Sequence, residues 1–154
     1  MTGAATNLVV AEGPDSLLMV DGGAAQDAKV LEKLLSRRFP GKPVAVVFNT
    51  HWHPTHSGFN ATARKLGADV IAHENTRLWL GTEVHSRWDN RVYPAQPTAV
   101  LPNRTFYYGL QKLDFGGRAV EYGHLGQAHT DGDIFVRFPG ANVIVTGGAF
   151  SPEA

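Results

Sequence analysis

His51, Trp52, His53, Pro54, Thr55 and His56 bring three imidazoles together directly after the apolar run Val44-Ala45-Val46-Val47-Phe48. In an extended segment His51 and His53 alternate with Trp52 and point the same way. Neutral imidazole is the commonest ligand for transition metals, and a zinc site takes three or four nitrogen, oxygen or sulfur donors. A strand that ends in a His-x-His-x-x-His loop can aim several such donors at one point. The chain has no cysteine, which excludes disulfides, thiolate sites and cysteine nucleophiles. Any metal is therefore held by nitrogen and oxygen.

The elements around this loop follow from apolar periodicity and turn residues. Asn7 to Ala11 and Ser16 to Val20 read as a hairpin across Gly13-Pro14-Asp15, ended by Asp21-Gly22-Gly23. Val30, Leu31, Leu34 and Leu35 have helical spacing within Gln26 to Phe39, and Pro40-Gly41 stops that helix. Pro43 to Asn49 is a valine-rich buried strand, followed by a helix over Phe59 to Leu66, a strand over Asp69 to Ala72 and a helix over Glu74 to Leu80. Residues 82–104, with Pro94, Pro97 and Pro102, read as a long irregular loop, a kind of segment that often serves function. Strands are expected over Thr105 to Asp114, Arg118 to Tyr122, Asp133 to Phe138 and Asn142 to Thr146. This mixture, with hairpins at both ends, is an α/β layered sheet structure and not a purely parallel doubly wound one.

At 154 residues, 43% of them apolar, the chain has the size of one domain over 1–154 with a packed core. The formal net charge is zero and there is no basic block, which argues against binding nucleic acid by phosphate neutralisation. No apolar run approaches the ~20 residues of a membrane span, and Met1 to Thr6 shows no charged-then-apolar signal pattern. A soluble protein with no membrane partner is expected, cytoplasmic or periplasmic.

Two further motifs join the histidine loop. One is Ala128-His129-Thr130-Asp131-Gly132-Asp133, which enters an apolar strand; the other is Asn142 to Thr146 running into Gly147-Gly148. With Leu18-Met19-Val20-Asp21-Gly22-Gly23 upstream, their order and spacing resemble the metallo-β-lactamase superfamily from about Asn7 to the end of the chain. The resemblance implies an αββα sandwich of four layers with the metal site at one edge. It implies that His51, His53 and His129 form a three-histidine zinc site, that His56 matches a ligand of a second zinc site, and that Asp21 is mostly structural. Gly58 and Asn60 fall where the family's helix begins after the metal loop.

The chain also departs from the family pattern. Thr55 and Gly148 stand where the family has aspartates that ligate the second metal, and the family's remaining strands, a helix and a last histidine ligand are expected beyond Ala154. One zinc per chain is the expectation. Asp131 and Asp133 read as turn residues bonded to the local backbone, or one of them as an acceptor for a histidine N–H. His73, His85 and His124 match no motif and read as surface or hydrogen-bonded. Trp79, Trp88, Tyr93, Phe106, Tyr107 and Tyr108 either line a substrate cleft or belong to the core.

The resemblance implies a zinc-dependent hydrolase in which metal-bound hydroxide attacks the carbonyl of a small ester, lactone, thioester or β-lactam. The rival expectation is a catalytically impaired remnant of that fold, metal-binding or not, that acts through association. For partners, the reading predicts a homo-oligomer or a complementing C-terminal fragment, because apolar strands near the end of the sequence lack a cover.

Overall fold

The computed structural model describes residues 6–87 and 89–150; Trp88 and the apolar-signal question at the extreme N-terminus lie outside the described residues. Strands β1 (Val9–Glu12) and β2 (Leu17–Val20) form the expected antiparallel hairpin. A 3-10 turn leads into helix α1 (Ala28–Arg38), and β3 (Val44–Phe48) then pairs parallel with β2, setting Val20 beside Phe48. The histidine loop follows. It contains a short helix the sequence reading missed, α2 (Pro54–Ser57), with proline at its first position where no N–H is needed. Helix α3 (Asn60–Lys65), strand β4 (Asp69–His73) and helix α4 (Glu74–Leu80) come next.

Residues 82–104 are not the irregular loop expected. They hold a hairpin of β5 (Val84–Ser86) and β6 (Arg91–Tyr93) and a 3-10 turn at Thr98–Val100. Asn90 takes a left-handed conformation at φ 53° in the turn, a role asparagine fills more readily than most residues. Asp89-Asn90 was the local signal for this hairpin; three-residue strands are too short to show a period.

Thr105 to Asp114 is also not one strand. Strand β7 (Arg104–Phe106) pairs parallel with β4, the chain turns at Gly109, and β8 (Gln111–Phe115) joins a different sheet. That second sheet is antiparallel and adds β9 (Arg118–His124), β10 (Ile134–Phe138) and β11 (Val143–Val145) in the order β11-β10-β9-β8. The first sheet runs β1-β2-β3-β4-β7.

Strand β2 explains the layering. Alternate residues of a strand face opposite sides. Leu17 and Met19 pack with Leu35 of α1, Phe59 and Ala63 in one core; Leu18 and Val20 pack with Phe48, Tyr122, Ile134 and Val136 in another. The first sheet is thus buried on both faces, between helices on one side and the second sheet on the other. A fully buried side chain of the size of Phe48 stabilises such a core by about 1.5–3 kcal/mol. The inward residues of β10, Ile134 and Val136, are covered by the first sheet, while the outward face carries Arg137 and Lys112, each paired with Glu121. Helix, sheet and sheet make three layers of the expected αββα sandwich, its N-terminal portion. No helix of the described residues is long and apolar enough to cross a membrane.

Candidate metal centre

The site lies where β3 leaves the first sheet. Asn49, Thr50 and His51 are fully buried. The Asn49 and Asn60 side chains bond each other in both directions, at 3.0 and 2.8 Å, and tie the loop to α3. Backbone contact ties it to the Asp21-Gly22-Gly23 turn: the Gly22 N–H donates to the His56 carbonyl at 2.7 Å, and the Gly58 N–H donates to the Gly23 carbonyl at 2.9 Å. A Cβ on Gly58 would stand 2.3 Å from the backbone of Ala24 and Ala25, so only glycine permits this approach.

Asp21 is the buried anchor of the turn, 1% exposed and left-handed at φ 63°. Its carboxylate accepts from the Thr50 N–H at 2.8 Å, from the Thr50 hydroxyl at 2.8 Å and from His56 Nδ1 at 2.8 Å. The Thr50 hydroxyl has one proton and gives it to Asp21, so it accepts from His51 Nδ1, 3.0 Å away. This fixes the His51 tautomer: Nδ1 carries the proton and Nε2 is bare. That Nε2 is buried and has no hydrogen-bond partner. A bare, buried, unpartnered imidazole nitrogen is what a metal ligand presents, with its other N–H held by a protein acceptor.

Two more nitrogens converge on the same place. His53 Nδ1 and His129 Nε2 are 3.1 Å apart, and one ligand atom from each of His51, His53 and His129 lies within 4.8 Å of the others. Two nitrogens bound to one tetrahedral zinc at ~2.0–2.1 Å stand about 3.3 Å apart, a spacing the His53–His129 pair matches, with the His51 nitrogen within 4.8 Å of both. Burial pushes His51 down to about 2, with further depression from the His56, His53 and His129 imidazoles. Burial likewise lowers His53, followed by the effect of His129. Both rings are neutral at pH 7, the form that ligates metal.

The structure brings three of the four candidate histidines together. His56 is turned toward Asp21 and lies against His51 with ring centroids 4.1 Å apart and the planes tilted by 49°, beside the group and not within it. Thr55 is half-buried and offers no carboxylate. Gly148 lies against the His129 ring so closely that a Cβ there would sit 2.5 Å from His129 Cδ2.

Asp133 takes the turn role, accepting from the Thr130 N–H at 2.7 Å and the Thr130 hydroxyl at 2.9 Å. Asp131 does not bond its local backbone through its carboxylate. It accepts from Trp79 Nε1 at 2.7 Å and from Asn75 Nδ2 at 3.1 Å, pinning the His129 loop to α4. His73 is buried, bonded to the Asn75 N–H and the Tyr107 carbonyl, and stacks on His124 at 3.9 Å; His85 is exposed beside Glu83. Phe106 is in the core between the sheets, and Tyr107 and Tyr108 are exposed.

His53 is half-buried and His129 exposed, so the group opens outward into a cleft of about 540 Å³ whose walls include Trp52, Trp79, Val84, Ser86, Thr130 and Asp131. The sequence reading did not single out Thr50 or Trp52. Thr50 was visible as a hydroxyl between a buried strand and a histidine; Trp52, as a large apolar side chain that cannot share the inward face of its two neighbours.

The family model of the metallo-beta-lactamase superfamily matches residues 1–153, and the chain belongs to that superfamily. Its fold is similar to a metallo-beta-lactamase from Pontibacter korlensis, with a TM-score of 0.71 at 19% identity over 90% of this chain and 58% of that one. It is also similar to MEM-A1, a subclass B3 metallo-beta-lactamase from a soil metagenome library, with a TM-score of 0.71 at 23% identity over 88% and 52%. A curated relative, the 2,4-dinitroanisole O-demethylase subunit alpha of Nocardioides sp. (strain JS1661), is 30% identical over 63% of this chain and 36% of its own length. The chain spans about a third of that relative and somewhat more than half of those two structures.

Two substitutions test the site. Asp21→Asn keeps a residue that tolerates the left-handed conformation but removes the charge and one acceptor oxygen. It is expected to cost about 1–3 kcal/mol of stability, read as a lower urea midpoint at unchanged slope; an unmoved midpoint would show that the network does not support the loop. Gly148→Asp puts a carboxylate into space the His129 ring holds. Zinc affinity by competition with a chromophoric chelator should fall about tenfold or more, and tighter binding would show that the ring yields readily.

Proposed function

We propose that the chain is a hydrolase that uses a single zinc ion, held by His51, His53 and His129, to cleave a small carbonyl compound such as an ester, lactone, thioester or β-lactam. The observation that carries this reading is the bare, buried Nε2 of His51 beside two further imidazole nitrogens. When bound at three imidazoles with an open fourth position, zinc lowers the pKa of water to about 7 and polarises a carbonyl oxygen.

The chain's own residues do the rest. Asp21, through Thr50, keeps His51 in the ligating tautomer. Asp131 and Asp133 hold the loop that carries His129. Trp52 and Trp79 line the cleft with indole surface. The relative's name, an O-demethylase of 2,4-dinitroanisole, supports adding an aryl ether C–O bond to the bonds tested. A second reading, metal binding without turnover, draws support from Thr55 and Gly148, which supply no carboxylate for a second ion.

Zinc analysis after dialysis should give about one equivalent per chain, and His51→Ala should lose most of it, because two imidazoles and water make a weak site. Zinc-dependent hydrolysis of 4-nitrophenyl acetate is expected, with weak or absent turnover of nitrocefin. Nitrocefin turnover at ~1–1000 per second would overturn the expectation of weak β-lactam turnover, and zinc uptake without hydrolysis of any ester would favour the second reading.

The partner proposal is a homo-oligomer. Among the described residues, β11 pairs with β10 and exposes Val143 and Ile144, and an apolar edge of this kind is a template for pairing. Light scattering should give a mass above the 16.7 kDa of one chain; a monomer at all concentrations would refute it.

A further inference from the structure

The cleft beside the histidines has a chemical character that the metal centre does not require. Its aromatic wall begins at the site itself. Trp52 packs against the His53 ring, with centroids 4.4 Å apart at 63°, and against Tyr93 of β6, at 5.3 Å and 86°. Held on two edges and half-buried, Trp52 presents carbon surface to the cleft. Trp79 contributes a second indole from α4. Its one polar atom, Nε1, is already bonded to the Asp131 carboxylate at 2.7 Å, so its remaining surface is apolar. Val84 of β5 adds an aliphatic patch.

The charges complete the picture. Among the described residues that line the cleft there is no lysine or arginine. The lining carboxylate, Asp131, is occupied by Trp79 and Asn75. Arg87 and Arg91 of the hairpin are exposed, and Arg91 faces Asp89 at 3.9 Å. A ligand carboxylate in the cleft would meet no lysine or arginine among its described lining residues and would stand beside the Asp131 carboxylate, an arrangement that selects against it. A flat uncharged ring would bury apolar area against two indoles and gain from offset or edge contacts.

We propose that this cleft binds a small, uncharged aromatic group and discriminates against ligands bearing a carboxylate. The volume of about 540 Å³ is within the range of small-molecule sites and leaves room for a substituted ring and the group to be cleaved. The proposal rests on the cleft beside His53 and His129 being the substrate site of the hydrolase reading.

Equilibrium dialysis of the whole chain against 4-nitroanisole and 4-nitrobenzoate, detected by their own absorbance, tests it without any turnover. On the metal-free chain 4-nitroanisole should bind about tenfold tighter than 4-nitrobenzoate. Trp79→Ala should weaken 4-nitroanisole about fivefold or more, and Leu78→Ala, on the exposed side of the same helix, should leave it unchanged. Val84→Lys, a change on a half-buried hairpin position that keeps both indoles, should bring 4-nitrobenzoate to parity or better.

Equal or tighter binding of 4-nitrobenzoate to the unaltered chain would overturn the proposal, as would indifference of both ligands to Val84→Lys. If 4-nitroanisole binds as described but the zinc-loaded chain cleaves no ester, the aromatic site stands and the hydrolase reading falls. If the zinc-loaded chain cleaves esters but 4-nitroanisole does not bind, the hydrolase reading stands and the aromatic site falls.

Discussion

The buried carboxylate of Asp21 is the constraint on which the rest of the site depends. A buried ionised oxygen is tolerated only when its lone pairs are satisfied, and here the donors come from the loop that carries the histidines. Satisfying the carboxylate therefore folds the loop. The same bonds decide where protons sit on His51 and His56, since each ring gives its Nδ1 proton toward Asp21, one directly and one through the Thr50 hydroxyl. One group thus sets backbone position and imidazole tautomer together. The close approach of Gly22 and Gly58 lets the two segments come near enough for it.

The layering serves the same end. Because β2 and β3 are buried on both faces, they form a stiff middle layer, and the loops at their C-terminal ends inherit that stiffness. Two elements from the second sheet reach across to this edge. The Ile134 N–H at the start of β10 donates to the Thr50 carbonyl at 2.9 Å, and the loop before it carries His129. The histidine group is therefore a junction between sheets, made of side chains that are each short-range in their own loop and long-range to one another.

That distinction separates what was legible in the sequence from what was not. His51 and His53 were legible because their spacing alone dictates a common direction, and His129 because its Ala-His-Thr-Asp-Gly-Asp motif resembles the family's. Apart from the short helix Pro54–Ser57, the elements up to Leu80 were also legible, since apolar runs and turn residues such as Gly13, Pro40 and Gly67 mark most of them. Asp131 was misread because its partners, Trp79 and Asn75, are far away in the chain, so nothing local distinguishes it from Asp133. Phe106 and Gln111 were assigned to one strand because apolar pattern does not say which sheet a strand joins; only Gly109 marked the crossing. The turn of His56 toward Asp21 depends on a left-handed aspartate that no pattern signals.

The outward face of the second sheet bears on how this part of the fold meets anything else. Lys112, Glu121 and Arg137 form a line across β8, β9 and β10, with Glu121 between two cations at 3.6 and 3.0 Å. Such a surface is already electrostatically content. Whatever comes to lie against it has to accommodate charge before it can bury carbon, so the contact would have the grammar of a hydrated, salt-sensitive interface instead of a second hydrophobic interior. The two sides of one sheet would then obey different rules: one sealed and sensitive to volume, the other reversible and sensitive to ionic strength.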